Sequence, residues 1–388
     1  MQAELLTKFR TLFMILLLVC MLHCINQEES RNDNRSAYPI QESTNDGIKI
    51  IINPDFPRDG IQYYQANDIV ILGSEEGPEE GMLILPYDIK IDSQDQIYIL
   101  DGYDACLRVY DPNGNWIRNI GRAGQGPGEF VYLISFDISR DDNLYLLDLM
   151  QKRVSIFNTS GKFISSFKVE GHCDRLELDE SRQIYLEQDI NVTQKSISGS
   201  GLWEKIIYRV DSRGEGYFKY GKFPAEYYVW GPRKTAQGRR SITHLSSEAY
   251  TTVWKVRGDG LLYLGYSQDY ILTIYNKRGK PLFKFGRDFP QIRHPEYSKD
   301  LSHPKFYPAF YYRYMFFDDD NNLWLKQYIS QPDTKHVYDI FSPEGIFIRQ
   351  AVVPESIYLY RRGKVYTIIR LERRVYEAKC YRLEELEN

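Results

Sequence analysis

Side chains suited to binding an anion or a sugar are concentrated in a few segments of the sequence. Residues 221–250 carry five basic side chains against two acidic ones, whereas the whole chain has a formal net charge of -4. Guanidinium groups hold carboxylates and phosphates through paired hydrogen bonds, and aromatic rings stack on sugars and cations. The alternative is that arginine and tyrosine here only cover the edges of the fold. The residues expected to contact a ligand are Arg122, Lys222, Trp230, His244, Arg287 and His294.

A basic residue follows a glycine at three similar places. These pairs are Gly121-Arg122, Gly221-Lys222 and Gly286-Arg287. If the three places are equivalent positions of a repeat, the cations form an arc that faces a ligand. Otherwise they serve packing within each repeat.

Histidines in the same segments suggest a second function, that of a metal-dependent hydrolase or lyase. Zinc at a catalytic site takes about three converging protein ligands, and His172 and His244 are the first candidates. Isolated histidines on different loops seldom converge in this way, so we expect no cofactor and no metal. The sequence contains no Gly-x-Ser-x-Gly motif and no close Ser-His-Asp pairing that would indicate a nucleophile. A non-catalytic function is therefore favoured.

Composition excludes several other classes of protein. The 49 basic and 53 acidic residues are nearly balanced, which argues against a strongly basic nucleic-acid-binding protein and against an acidic disordered tail. The 32 tyrosines, beside valine, isoleucine and phenylalanine, favour strands over helices. Three cysteines beyond the N-terminal region, Cys106, Cys173 and Cys380, are far apart and odd in number. They predict buried free thiols rather than a disulfide framework or a zinc site.

Elements that could position these side chains are visible as an internal repeat. A hydrophobic residue followed by an aromatic one recurs six times after turn-forming residues, and five of these doublets precede a strand and a four-residue turn that ends in glycine. The doublets are Ile97-Tyr98, Leu144-Tyr145, Ile184-Tyr185, Leu262-Tyr263, Leu323-Trp324 and Val365-Tyr366. Each repeat reads as four consecutive antiparallel strands, which is one blade of a β-propeller.

The sixth repeat lacks its fourth strand, and a candidate for it lies near the start of the chain. Residues 69–72 and the following Gly77-Pro78 align with residues 118–121 and Gly126-Pro127 at a constant offset. We expect residues 69–72 to join the last blade beside Cys380 and close the ring, because closure removes two exposed sheet edges. The fold class predicted for residues 48–388 is thus an all-β, six-bladed propeller of four-stranded antiparallel blades. A β-sandwich or two smaller all-β domains are the alternative.

A glycine-rich stretch carries a resemblance to a known family. Residues 120–130, followed by a strand, the Leu144-Tyr145 doublet and Asp148, resemble the NHL-type repeat of six-bladed β-propellers. The likeness covers about residues 48–383 and is greatest to exported propeller proteins of Bacteroidetes, many of them lipoproteins without an assigned activity. The later blades lack the aspartate that Asp148 represents in this repeat, which weakens the case for a functional site repeated in every blade. The neighbouring positions there hold Glu187, Gly265, Lys326 and Ile369.

The same stretch is spaced loosely like a phosphate-binding loop, with glycines at Gly124, Gly126 and Gly128. No helical pattern follows these glycines, and no Gly-Lys-Ser/Thr sequence appears. The mechanism by which a helix N-terminus holds phosphate is therefore absent.

The N-terminus has the pattern of an export signal. Lys8 and Arg10 precede an apolar run over residues 12–22, which is too short to span a bilayer. The run ends at two cysteines and resembles a bacterial lipoprotein signal, so we predict an export signal over residues 1–24 with lipidation at Cys24. Lipidation at Cys20, simple secretion and an uncleaved anchor remain alternatives. Residues 25–47 are predicted to be a polar tether.

The topology of a propeller predicts where a binding site would lie. Connections from strand four to the next strand one, and from strand two to strand three, emerge on the same face. The long segments 187–203, 224–250 and 287–310 all fall in these connections, and loops held by a rigid scaffold commonly carry function. We expect an envelope-tethered binding module, with membrane contact through its lipid only and no nucleic-acid partner. Its partner would be a small anionic or carbohydrate ligand or an envelope protein, and a structural role in an envelope complex is a further possibility.

Overall fold

The computed structural model describes residues 38–74, 77–191, 200–201, 203–225, 228–229, 233–234, 240–241, 250–293, 306–328, 336–372 and 375–386. The predicted export signal and the first part of the predicted tether, with Cys24, lie outside the described residues. Residues Glu42–Asn388 form one compact unit. Among the described residues, no helix is both long enough and apolar enough to cross a membrane.

The described residues form thirty strands and one short 3-10 helix, Glu79–Gly81. Three strands precede the blades, namely β1 (Gln41–Asn45), β2 (Ile48–Asn53) and β3 (Ile61–Leu72). Blade 1 contains β4 (Pro86–Ile91), β5 (Ile97–Asp101), β6 (Cys106–Tyr110) and β7 (Trp116–Ile120). Blade 2 contains β8 (Leu133–Ile138), β9 (Asn143–Asp148), β10 (Arg153–Asn158) and β11 (Phe163–Lys168). Blade 3 contains β12 (Cys173–Leu178), β13 (Ile184–Asn191), β15 (Trp203–Val210) and β16 (Phe218–Pro224), with the short β14 (Ser200–Gly201) between them.

The second half of the chain repeats this order. Three short strands follow blade 3, namely β17 (Tyr228–Val229), β18 (Arg233–Lys234) and β19 (Arg240–Ser241). Blade 4 contains β20 (Thr252–Val256), β21 (Leu262–Tyr266), β22 (Ile271–Tyr275) and β23 (Pro281–Arg287). Blade 5 contains β24 (Phe310–Phe317), β25 (Leu323–Gln327), β26 (His336–Phe341) and β27 (Phe347–Val353). Blade 6 contains β28 (Leu359–Arg361), β29 (Lys364–Glu372) and β30 (Val375–Glu385). Strands within each blade pair antiparallel in chain order, which confirms the predicted six-bladed propeller and excludes a sandwich.

The N-terminal strand β3 completes blade 6 and closes the ring. It pairs antiparallel with β30, with Val70 opposite Cys380 and Leu72 opposite Ala378. The predicted closure by residues 69–72 is therefore confirmed. The innermost strands of blades 1 to 6 also contact one another in order, and β29 of blade 6 contacts β4 of blade 1. Pairing of both chain ends in one sheet leaves neither end of the propeller as an open edge.

The N-terminal segment also reaches two further blades, which the repeat pattern does not predict. Strand β2 runs parallel to β23 of blade 4, and the first residues of β3 run parallel to β27 of blade 5. Between these contacts, the buried Asn53 amide donates hydrogen bonds of 2.8 Å to the carbonyl oxygens of Gly286 and Gly345. Its oxygen accepts a bond of 2.9 Å from the Phe347 N–H. One side chain thus links blades 4 and 5 to the N-terminal segment.

Part of the predicted tether is a strand in the structure. Residues Gln41–Asn45 form β1, which lies next to β2 in the sheet and exposes all its side chains. A hairpin turn joins the two strands, because Asp46 and Gly47 both have positive φ angles, 49° and 75°. Consecutive positive φ values suit a two-residue hairpin turn, and Asp-Gly is a preferred pair there.

Strand two of each blade supplies residues to both neighbouring interfaces. Ile97 and Ile99 pack on the side of blade 6, whereas Tyr98 and Leu100 pack on the side of blade 2. This follows from the alternation of side chains along a strand. All six doublet aromatics are buried, so the hydrophobic core lies between the blades rather than at a single centre.

The repeated tight turns confirm the glycine pattern of the sequence. Gly114 and Gly161 have φ angles of 90° and 86°, and the equivalent glycines of three other blades are also positive. The Gly114 N–H donates to the Asp111 carbonyl oxygen at 3.0 Å. These turns lie on one face of the propeller, and the connections with the long segments leave from the opposite one, which we call the loop-rich face. It contains the connections from strand two to three and from strand four to the next strand one.

A disulfide can test ring closure directly. Val70 and Cys380 are cross-strand partners in the same apolar cluster, at a spacing that a disulfide can bridge. Oxidation of the Val70→Cys variant should therefore join residues 70 and 380, detected as a linked peptide by mass spectrometry without reduction. The Ile71→Cys variant is the control, because the Ile71 side chain is 49% exposed and alternates to the other side of β3. A linked peptide from the control alone would contradict the register.

Candidate binding site

Arg122 and the glycine-rich stretch form a closed local arrangement. The Arg122 side chain is 79% exposed, and its guanidinium lies 2.8 Å from the Glu129 carboxylate. That carboxylate also accepts hydrogen bonds from the N–H groups of Gly126 at 2.9 Å and Gln125 at 3.1 Å. The Gly126 bond and the Arg122 contact hold the pKa of Glu129 below its ordinary value. The N–H groups that a phosphate loop would offer to a ligand are thus bound by a side chain of the same loop.

The other two basic residues of the expected arc also have carboxylate partners. Lys222 in β16 lies 3.6 Å from Glu204 of the neighbouring β15. Arg287 at the end of β23 is buried, and its Nε donates to Asp339 of blade 5 at 2.8 Å. Its guanidinium also lies over aromatic rings, including that of Tyr270 at 4.8 Å. Arg287 therefore stabilises the interface of blades 4 and 5 instead of lining the surface, because Asp339 compensates its charge there.

Of the remaining residues expected to bind a ligand or a metal, the structure describes only His172. Trp230, His244 and His294 lie outside the described residues, so their roles in binding stay predictions. His172 precedes β12 and is exposed, and its carbonyl oxygen accepts a bond of 3.2 Å from the Asp189 N–H. A metal site that joins His172 to His244 stays the alternative, because His244 lies outside the described residues.

A core position of the repeat carries charge in two blades. The second residue after the doublet aromatic is a fully buried leucine in blades 1 and 2, Leu100 and Leu147. The same position holds Glu187 in blade 3 and Lys326 in blade 5, which are 3% and 6% exposed. Sequence reasoning noted both residues only as departures from the repeat. The signal was present, because the period-two alternation marks this position as inward-facing.

Glu187 lies in a charged cluster between blades 3 and 4. One of its carboxylate oxygens accepts a bond of 2.5 Å from the Lys205 Nζ, and the other accepts one from the Trp254 indole N–H. Asp174 and Asp189 complete the cluster, since one oxygen from each of the three carboxylates lies within 4.8 Å of the others. These are residue types that could hold a hard cation.

The protonation of this cluster follows from its contacts. Burial alone would raise the pKa of Glu187, but the ammonium of Lys205 and the guanidinium of Arg175 outweigh it and lower the pKa. Burial and the charges of Glu187 and Asp189 raise the pKa of Asp174 well above its ordinary value. Negative charge is therefore concentrated on Glu187, where Lys205 already provides the cation. For this reason we assign the cluster a structural role rather than that of a cation site.

Lys326 lies in a different environment between blades 5 and 6. Its Nζ donates to the Ser356 Oγ at 2.6 Å and lies over the rings of Tyr311 and Tyr314 at 4.6 and 4.4 Å. The Ser356 Oγ is 3.4 Å from the Nδ1 of His336. Among the residues that the structure describes, no carboxylate forms an ion pair with Lys326.

Burial determines the charge state of this group. It lowers the pKa of Lys326 to about 8. Burial, with the nearby Lys326 charge, lowers the pKa of His336 to about 4. At neutral pH the lysine is thus mostly protonated and the histidine neutral. Lys326 is the last residue but one of strand two, His336 begins strand three and Ser356 follows strand four, so all three lie at the loop-rich face.

Six antiparallel blades closed by an N-terminal strand, with charged clusters at one face, define a six-bladed β-propeller with a candidate binding face. The family model DUF5128, described as a 6-bladed beta-propeller, matches residues 78–339. The chain belongs to this family. No curated protein matches the chain by sequence.

Solved structures of the same fold include two from Bacteroides. A protein of Bacteroides fragilis to which export is ascribed is 11% identical, with a TM-score of 0.50, over 84% of this chain and 100% of that one. A DUF4221 member from Bacteroides vulgatus is 9% identical, with a TM-score of 0.53, over 83% of this chain and 98% of that one. Virginiamycin B lyase from Staphylococcus aureus is 10% identical, with a TM-score of 0.43, over 81% and 98%. At these identities the likeness to the two Bacteroides structures shows the fold alone.

Proposed function

We propose that this chain is an exported, non-catalytic binding module that holds a ligand at its loop-rich face. Export and a lipid at Cys24 are supported by the N-terminal signal pattern, with the tether leading to the propeller. The ligand is a small anionic or carbohydrate molecule, or a group of that chemistry on an envelope protein.

One observation carries the proposal. Lys326, the charged replacement of the repeat's core leucine that has no carboxylate partner among the described residues, is near the end of a strand that leads into the loop-rich face. Burying charge where leucine packs in other blades is unfavourable to folding, so a binding role is a better account than stability. Perturbed, buried charges at one face are typical of functional sites.

Selective blocking of each face tests this function. Cys106, Cys173 and Cys380 are buried free thiols, as predicted, so an exposed introduced cysteine should react in preference to these three with a bulky polyethylene glycol maleimide. Met150→Cys lies on the loop-rich face, where Met150 is 61% exposed. Its control, Ser160→Cys, lies in the tight turn between strands three and four of the same blade.

The readout is binding to an array of neutral and acidic oligosaccharides and small carboxylates, with the modified thiol mapped by mass spectrometry. We expect modification at residue 150 to weaken binding at least about tenfold. Modification at residue 160 should leave binding unchanged. Equal binding after both modifications, or loss only at residue 160, would place the site elsewhere and refute the proposal.

A further inference from the structure

Lys326 differs from every other buried basic side chain that the structure describes. Arg108, Lys205 and Arg287 are also buried, and each has a carboxylate oxygen within 3.2 Å, from Asp101, Glu187 and Asp339. Among the described residues, Lys326 contacts only neutral groups, namely one hydroxyl and the faces of two aromatic rings. Because buried charges are normally paired, the missing partner calls for a negative charge from outside the propeller.

The groups around Lys326 are suited to receive such a partner. Ser356 accepts a hydrogen bond from the Lys326 Nζ, which leaves its own hydroxyl hydrogen free to donate. The neutral His336 has its Nδ1 3.4 Å from the same oxygen, and in the tautomer with the hydrogen on Nδ1 it donates to Ser356 too, so that the hydroxyl hydrogen stays available. Tyr311 and Tyr314 flank the ammonium with flat apolar faces that can pack against a ligand body. The backbone of Ser356 is fixed because its carbonyl oxygen accepts a bond of 2.6 Å from the Thr367 hydroxyl.

We propose that Lys326 anchors the carboxylate group of a ligand between blades 5 and 6, with the Ser356 hydroxyl as a second donor. This inference rests on the proposed function and names the chemical class of its ligand. One ammonium and neutral donors match the single charge of a carboxylate, whereas a dianionic phosphate calls for further cationic groups. The neighbouring tyrosines favour a carboxylate borne on an aromatic or otherwise flat body.

Three probes that share a ring test the assignment, namely benzoate, phenyl phosphate and benzyl alcohol. Binding to the full chain is followed by titration in ligand-detected NMR. We expect benzoate to bind the parent protein and to bind Lys326→Met at least about tenfold more weakly. Benzyl alcohol, which lacks the charge, should not compete. Lys162→Met is the matched control and should bind benzoate like the parent, because Lys162 is exposed at the tight turn between β10 and β11, on the face opposite the loop-rich one.

A second readout separates binding from folding. The urea midpoint of Lys326→Met should be no lower than that of the parent, so that lost binding reflects the missing ammonium. Absence of benzoate binding to the parent, equal binding to both proteins, or tighter binding of phenyl phosphate would each overturn the assignment. Array binding that is blocked by modification at residue 150 but unchanged in Lys326→Met would overturn it too. In that last case the proposed function would stand.

Discussion

Replacing Lys326 by methionine is expected to stabilise the folded protein by about 3–3.5 kcal/mol at pH 7. Burial lowers the pKa of Lys326 from 10.5 to about 8, and each unit corresponds to about 1.4 kcal/mol between the charged and neutral forms. Methionine keeps the length of the side chain, carries no charge and packs well on the Tyr311 and Tyr314 rings. The substitution thus removes the free-energy cost of burying a charge, a cost that is absent in blades 1 and 2, where this position is leucine.

The stability gained by Lys326→Met should disappear as the pH rises into the alkaline range. A lysine whose pKa is lowered by folding destabilises the native state fully below about pH 8, where both states are protonated. Between pH 8 and 10.5 the native state loses the proton before the unfolded state does, so the parent protein gains stability as the pH rises. Methionine does not titrate, and the difference between the two proteins should approach zero near pH 10.5.

Urea unfolding of both proteins at several pH values measures this difference, and the pH response of all other groups cancels in the comparison. The benzoate titration complements this measurement, because the variant that is expected to gain stability is also expected to lose affinity for benzoate. A stability gain coupled to lost function is typical of residues kept for binding. A variant that is less stable than the parent at pH 7 would show that the ammonium is paired in the free protein, and would refute this account.

The blades were predictable because their determinants are local. The doublets, the turn glycines and the alternating strands lie within each repeat, and the offset between residues 69–72 and 118–121 located the closing strand. The parallel contacts of β2 with β23 and of β3 with β27 were not predictable in the same way. They join residues more than 200 positions apart through backbone hydrogen bonds, which leave no periodic pattern in the sequence.

The binding site was predicted less well than the fold, because the sequence shows a charged residue but not the residue of opposite charge that pairs with it. Arg122, Lys222 and Arg287 are of the right types for an anion site, yet each has a carboxylate partner in the structure. The partner of Arg287, Asp339, lies 52 residues away in the next blade. Lys326 and Glu187 could have been found, since a charge at an inward-facing position breaks a pattern that the sequence itself establishes.

The same substitution in blade 3 should have the opposite effect. Lys205→Met is expected to destabilise the protein by about 3–5 kcal/mol at pH 7, because it leaves the Glu187 carboxylate buried without its ammonium. Asp174 and Asp189 lie beside it and add repulsion rather than compensation. The matched comparison is Lys326→Met, and Lys222→Met, at a half-exposed lysine, should change stability by no more than about 0.5 kcal/mol.

The pH dependence of Lys205→Met distinguishes a lost ion pair from lost packing. Without the ammonium, burial and mutual repulsion should hold the pKa values of the three carboxyl groups above those of the unfolded chain, near 4. Carboxyl groups with raised pKa values make the folded state less stable as the pH rises above about 4, so the deficit should be smaller at pH 5 than at pH 7. Urea midpoints at the two pH values measure it. A deficit that does not change with pH would mean that Lys205 contributes by packing its alkyl chain, and the buried charge at the leucine position of blade 3 would then need another explanation than its pairing.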